Sequence, residues 1–271
     1  MSIKHSASRY TDALRVHRER NARIKFKLLF ILTCGAIGVM VWWLFWSGSF
    51  TVTNIQITGG SESIRQSSLF ALNQWLDARP WFTPRRANSL LFNPTNASAT
   101  IATAVPKLAA VSVRRVSFHD VTISIAERTP AGIWCKGNEQ CFYFDASGMV
   151  YETVSETEGH VYLTVRDNRP RGLQVGNVIT DGVWLKTITE TATALKTLRG
   201  LAANRFVISV DIADEFEAIT DSGTRIRFTT ADPKHAIVGL ATLLKSKPQL
   251  LTQQPPLQYF DLRIPNRIYY K

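Results

Sequence analysis

Few side chains in this sequence are equipped to do more than pack. Three cysteines and five histidines stand among 271 residues, together with one acidic run. Cys135 and Cys141 flank "KGNEQ", a composition suited to the loop of a hairpin, so the two sulfurs can face each other across paired strands. In an oxidising compartment such a bridge is worth roughly 2 kcal/mol. A metal site would need further ligands, and no histidine lies nearby in sequence, so a disulfide is favoured over free thiols. His119, His160 and His235 are isolated from one another and read as surface or packing residues. The run Asp211, Asp214, Glu215, Glu217 and Asp221 lacks the regular oxygen-ligand spacing of a calcium loop and reads as a solvated strand face. There is no phosphate loop, zinc-protease helix motif or serine elbow. Pairing of Cys135 with Cys141 removes the remaining thiol nucleophiles outside the apolar run that holds Cys34. The expectation is a protein that is not an enzyme and needs no metal and no cofactor.

The elements that position these groups begin with a membrane anchor. The chain is 45% hydrophobic and 20% charged with net charge +11, an ordinary globular balance, but the charge is uneven. Residues 1–27 hold eight basic side chains against Asp12 and Glu19, so this arm carries +6 and the remainder only +5. Residues 28–46, "LLFILTCGAIGVMVWWLFW", then run without a charge. As a helix they would extend roughly 28 Å, close to the thickness of a bilayer core. Trp42, Trp43 and Trp46 crowd one end as an interfacial belt would. A cleaved signal would have a shorter apolar core and a small-residue cleavage site, and "WSGSFTVT" offers none. The first basic residue after the span is Arg65, so the positive-inside rule places residues 1–27 in the cytoplasm and the rest outside. The arm reads as a topology signal rather than a nucleic-acid or anionic-lipid site.

Beyond the span, "FTVTNIQITG" reads as a strand ending at Gly59-Gly60. Ser63 and Gln66 fit a capping box for a helix with Leu69, Leu72 and Leu76 on one stripe. The stretch from Ala78 to Asn96, with Pro80, Pro84 and Pro94, reads as a loop, and a second helix is expected over 97–105, ended by Pro106. Two strands follow around a turn at His119-Asp120, with a bulge expected at Arg114-Arg115 where the apolar phase changes. Residues 50–126 therefore form a small strand–helix–helix–strand–strand domain. Residues 127–271 are strand-rich, with strands over 142–144, 149–152, 162–165, 205–212, 215–220 and 225–229. Helices are expected over 182–201 and after the Asp232 cap with Pro233 in its first turn. The fold class is α+β. The end, "YFDLRIPNRIYYK", reads as a strand broken once by Pro265-Asn266, either closing the sheet or left at its edge as a template for a partner.

A basic arm, one span, a strand–helix–helix–strand–strand unit and a β-rich domain together resemble the plan of the FtsQ/DivIB bacterial cell-division proteins. The stretch "VPKLAAVSVRRVSFHDVTISIAERTPAGIW" is similar to the junction of that family's POTRA domain with its β domain. "YFDASGMVYE" is similar to its Asp-x-x-Gly hairpin, and the Asp-Leu-Arg of the final segment to its closing strand. The sequence departs from the pattern in lacking proline at the His119-Asp120 turn, in the proline-rich stretch after Arg79 and in the Cys135/Cys141 pair. The resemblance implies a non-catalytic divisome scaffold of the cell (inner) membrane at the septum, helping to control peptidoglycan synthesis. It implies binding of FtsB/DivIC- and FtsL-like partners through Ile264, Asn266, Arg267, Ile268, Tyr269 and Tyr270, and of other divisome proteins through the POTRA-like domain. Two further readings stand beside it: an anchored accessory subunit of a cell-wall enzyme, and a POTRA-type chaperone for exported polypeptides. Nucleic acid is not an expected partner.

Overall fold

The computed structural model describes residues 4–78, 87–137, 140–155, 162–170, 172–179, 182–210 and 214–271, and for residues 4–22 the backbone alone. The fold is α+β. The chain divides into two compact units, one of Met1–Thr58, Gln66–Ile101 and Ser112–Ser124, the other of Gly59–Arg65, Ala102–Val111 and Ile125–Lys271.

A single helix, α1 (Lys4–Trp46), joins the basic arm to the apolar run without a break. Its segment Arg23–Trp46 is long and apolar enough to cross a membrane, with mean hydropathy 2.3 and none of it buried. There follow β1 (Asn54–Thr58), α2 (Glu62–Asp77), α3 (Pro94–Ala104), β2 (Leu108–Arg115) and β3 (Asp120–Glu127). The three strands form one sheet in the order β1-β3-β2. β1 runs parallel to β3, with Asn54 opposite Asp120 and Thr58 opposite Ser124. Two antiparallel neighbours could share a short hairpin, but a parallel pair needs a crossover, which the helices supply. Leu72, Ala97, Ile101, Val121 and Ile123 are the buried apolar residues at the heart of the first unit.

Local differences from the sequence expectations have physical causes. α2 begins at Glu62, so Ser63 lies inside its first turn rather than capping it. α3 begins at Pro94 because the Asn93 side chain accepts from the backbone N–H of Thr95 (2.9 Å) and Asn96 (3.2 Å). Proline needs no N–H in a first turn, so here it starts a helix instead of breaking one. β2 stops at Arg115, and Val116 and Phe118 occupy the turn that follows. The expected loop after Ala78 lies in part, at residues 79–86, outside the described residues, as do His160 and Asp211.

The second unit holds a nine-stranded mixed sheet. Its members are β4 (Gly132–Lys136), β5 (Gln140–Phe144), β6 (Val150–Val154), β7 (Leu163–Asp167), β8 (Ala203–Ile208), β9 (Glu215–Thr220), β10 (Arg225–Thr229), β11 (Tyr259–Asp261) and β12 (Tyr269–Tyr270). The order across the sheet is β12-β11-β10-β9-β8-β7-β4-β5-β6. β7/β8 and β10/β11 are parallel pairs, and each encloses one helix, α4 (Gly182–Lys196) and α5 (Pro233–Ser246) respectively. α5 is capped by Asp232, whose side chain accepts from the His235 N–H at 3.1 Å.

Period-2 alternation sends one set of strand residues to a common core. Phe144, Phe206, Phe216, Phe228 and Phe260, one from each of five strands, are all fully buried there. Phe216 and Phe228 stack at 5.3 Å between ring centres. Ile188 and Leu195 of α4, with Ile237 and Leu240 of α5, join the same cluster. The tail is not one interrupted strand. β11 and β12 fold back antiparallel on each other, with Phe260 opposite Tyr270 and Asp261 opposite Tyr269. Asn266 sits in the left-handed region (φ 61°) that reverses the chain between them.

Candidate functional site: the free edge at β12

β12 is the last strand of the nine-stranded sheet, so among the described residues only one of its sides is paired. Tyr259 and Lys271 exchange both backbone hydrogen bonds, at 3.4 and 3.3 Å. Antiparallel ladders alternate, so the next bonded pair is Asp261 with Tyr269, and the N–H and C=O of Tyr270 and Ile268 face away from β11. An outward row of this kind is a template for another strand unless it is covered.

The six residues expected at the site gather along this edge. Tyr270 shares a face with Phe260, its ring centre 6.2 Å away, and its hydroxyl accepts from Lys247 Nζ at 3.3 Å. Tyr269 projects to the opposite face and is 46% exposed, and Ile264 is 49% exposed. Ile268 is half-buried and packs on the main core below α5. Asn266 forms the reversal, its Oδ1 3.4 Å from His235 Nε2, and Arg267 is exposed beside it. Between this hairpin and α5 lies an open cleft of about 480 Å³, lined among others by His235, Gly239, Thr242 and Ile264. The contributions of α5 and Lys247 were missed from the sequence. They lie about 20–35 residues upstream of β12 and reach it only because the β10–α5–β11 crossover lays them there.

The base of the hairpin is fixed electrostatically. Arg263 donates to both oxygens of Asp261 (2.9 and 2.6 Å) and to Glu215 Oε2 (2.7 Å). The Arg263 hydrogen bonds hold the Asp261 carboxyl below the usual carboxylate range and hold Arg263 itself more firmly protonated than usual. Glu217 pairs with Arg227 at 2.8 Å, and Arg227 lies over the Tyr259 ring at 5.2 Å. Two members of the acidic run read from the sequence, Glu215 and Glu217, are thus paired with arginines.

The groups considered for chemistry lie apart. Cys135 and Cys141 are directly opposite each other in β4 and β5 and are joined by a disulfide. They are buried with Ile133 in a small cluster, with Tyr143, Val154 and Tyr162 packed against it. His119 Nδ1 lies 2.9 Å from the Thr51 carbonyl oxygen in the first unit. Among the described residues, no three His, Cys, Asp or Glu side chains gather as metal ligands would. The arrangement at β12 offers backbone pairing, aromatic area and positive charge, which is the equipment of a binding edge. No family model and no curated protein matches this chain.

Proposed function

We propose that this chain is a non-catalytic, single-span scaffold of the FtsQ/DivIB type, which binds FtsB/DivIC- and FtsL-like division proteins and thereby helps to control septal peptidoglycan synthesis. The observation that carries the reading is the uncovered β12 edge, flanked by exposed Tyr269, Tyr270 and Ile264. An extended partner segment would add as a tenth strand. Register comes from the outward backbone groups of Ile268 and Tyr270, contact area from the two tyrosines, and selectivity for an acidic segment from Arg267 and Lys271. On this reading β1, α2, α3, β2 and β3 form a POTRA-like domain that docks other divisome proteins. The helix Arg23–Trp46 anchors the chain with its basic arm in the cytoplasm and the residues that follow the helix outside, in keeping with the charge asymmetry across the span.

The test is a pull-down from membranes with the tagged full chain and with a chain ending at Pro265, accompanied by circular dichroism of both. Small single-span coiled-coil division proteins should accompany the full chain and be lost with the truncation, while the spectra agree. Equal capture by both would move the interface away from β12. Capture of no division protein by either chain would refute the scaffold reading itself.

A further inference from the structure

The first unit carries exposed apolar side chains that the scaffold reading leaves without a role. Val116 and Phe118, in the turn between β2 and β3, are 64% and 54% exposed, and Leu90 and Leu91 are 41% and 46% exposed. Both turns are fastened to the end of α1. Asn88 Nδ2 donates to the carbonyl oxygens of Leu44 (2.9 Å) and Phe45 (3.2 Å), satisfying acceptors that a helix end leaves open. Ser89 N–H donates to Phe50 O at 2.6 Å, and the Arg115 guanidinium donates to Ser89 O, tying the two turns together. The rings of Trp43, Phe50 and Phe118 form a chain of edge contacts, 5.7 Å and then 5.8 Å between centres.

From this geometry we infer that the two turns form a membrane-resting foot, whose Val116, Phe118, Leu90 and Leu91 enter the headgroup zone of the bilayer around the outer end of α1. The inference rests on Arg23–Trp46 spanning the membrane. Trp43 lies one helical turn inside the end of that span, so it sits near the boundary between hydrocarbon and headgroups. The headgroup zone is roughly 6 Å thick on each side. Two ring contacts from Trp43 therefore keep Phe118 within reach of it. Aromatic and aliphatic side chains are at home at that depth, and the exposed Arg114 and Arg115 beside them suit anionic headgroups. Lipid is favoured over a second protein because the anchor itself delivers the patch to the bilayer, with no further association required.

The test uses the full chain with Cys34→Ala, which removes the free cysteine while Cys135 and Cys141 remain bridged. Single nitroxide labels are placed through Phe118→Cys, Val116→Cys, Ile37→Cys or Phe70→Cys. Each protein is reconstituted in vesicles of phosphatidylcholine with phosphatidylglycerol, and collision with oxygen and with a water-soluble nickel chelate is measured by electron paramagnetic resonance. Phe70, 71% exposed on α2, is the aqueous reference, and Ile37 is the reference for the span. The foot predicts that labels at 118 and 116 meet oxygen several-fold more, and nickel several-fold less, than the label at 70. If both behave like position 70 while position 37 is lipid-embedded, the foot is overturned and the anchor stands. Shielding of 118 and 116 from both reagents means that protein, not lipid, covers the patch, and also overturns it. A nickel-accessible label at 37 removes the spanning reading and the foot with it.

Discussion

Tyr270 lies directly opposite Phe260 in a non-hydrogen-bonded pair, so its ring rests at the core margin while its backbone N–H turns away from the sheet. One residue thus closes the fold with its side chain and keeps a free donor on its main chain. Its neighbour Tyr269 has the opposite assignment, a backbone bonded to Asp261 and a ring in solvent.

That alternation separates binding from stability. Tyr270→Pro deletes an outward N–H that no strand among the described residues uses, and edge positions facing solvent tolerate proline. Its thermal midpoint should change little beyond the loss of the ring, for which Tyr270→Ala is the control, while partner capture collapses. Tyr269→Pro deletes a ladder bond and should cost about 1 kcal/mol or more. If Tyr270→Pro captures partner as well as Tyr270→Ala does, strand addition at this edge is wrong.

Arg263→Ala should loosen the hairpin, because Asp261 and Glu215 lose a shared cation. The pair is part-exposed, so the expected loss is about 1 kcal/mol. Its pH dependence has a definite sign. The folded Asp261 carboxyl titrates below its unfolded value of about 4. Its contribution is therefore complete above that value and disappears as pH falls through the lower folded one. Urea titrations should show the native protein and Arg263→Ala separated at neutral pH and converging in acid. A gap that stays constant down to the acid limit would assign the stabilisation to packing of the Arg263 stem.

At Gly132 the large sheet leaves no room for a side chain. A Cβ there would meet Leu163 O and Phe144 Cζ, each at 2.6 Å, because β4 lies between β5 and β7. Gly132→Ala should cost about 1–3 kcal/mol by overpacking. Gly172→Ala, where nothing lies within 4 Å, is the matched control and should be close to neutral. Equal urea midpoints for the two variants would mean that the strands can spread at β4.

What the residues revealed beforehand was local. β9 and β10 occupy 215–220 and 225–229 as expected, since strict alternation on either side of Asp221-Ser222-Gly223 leaves little freedom. α5 starts where Asp232 and Pro233 require. The start of α3 was misread because Pro94 suits both a loop and a first helical turn, and the capping bonds of Asn93 decide between them. Strand order was not legible. Nothing in the periodicity of "YFDLRIPNRIYYK" specifies that Phe260 pairs in parallel with Ile226, or that Tyr270 then lies outermost. Whether the tail closes the sheet or borders it depends on that long-range pairing, which is why the tyrosines could be named as candidates while the edge could not.

The disulfide connects structure to compartment. Cys135 and Cys141 close a loop with a sequence separation of 6, and loop-closure entropy for so short a ring gives about 2 kcal/mol. Reduction should therefore lower the thermal midpoint by several degrees in a unit of this size. Both sulfurs are buried, Cys135 at 1% and Cys141 at 7% exposure, so the pair should resist reductant until the β4–β5 hairpin opens. Bridges of this kind are rare in the reducing cytoplasm, which is in keeping with the proposed orientation, second unit outside. In the Cys34→Ala chain, which lacks the free cysteine, maleimide applied to denatured whole-cell protein should label Cys135 and Cys141 only after reduction. Labelling without reduction would show free thiols in the cell, and would remove this support for placing the second unit outside.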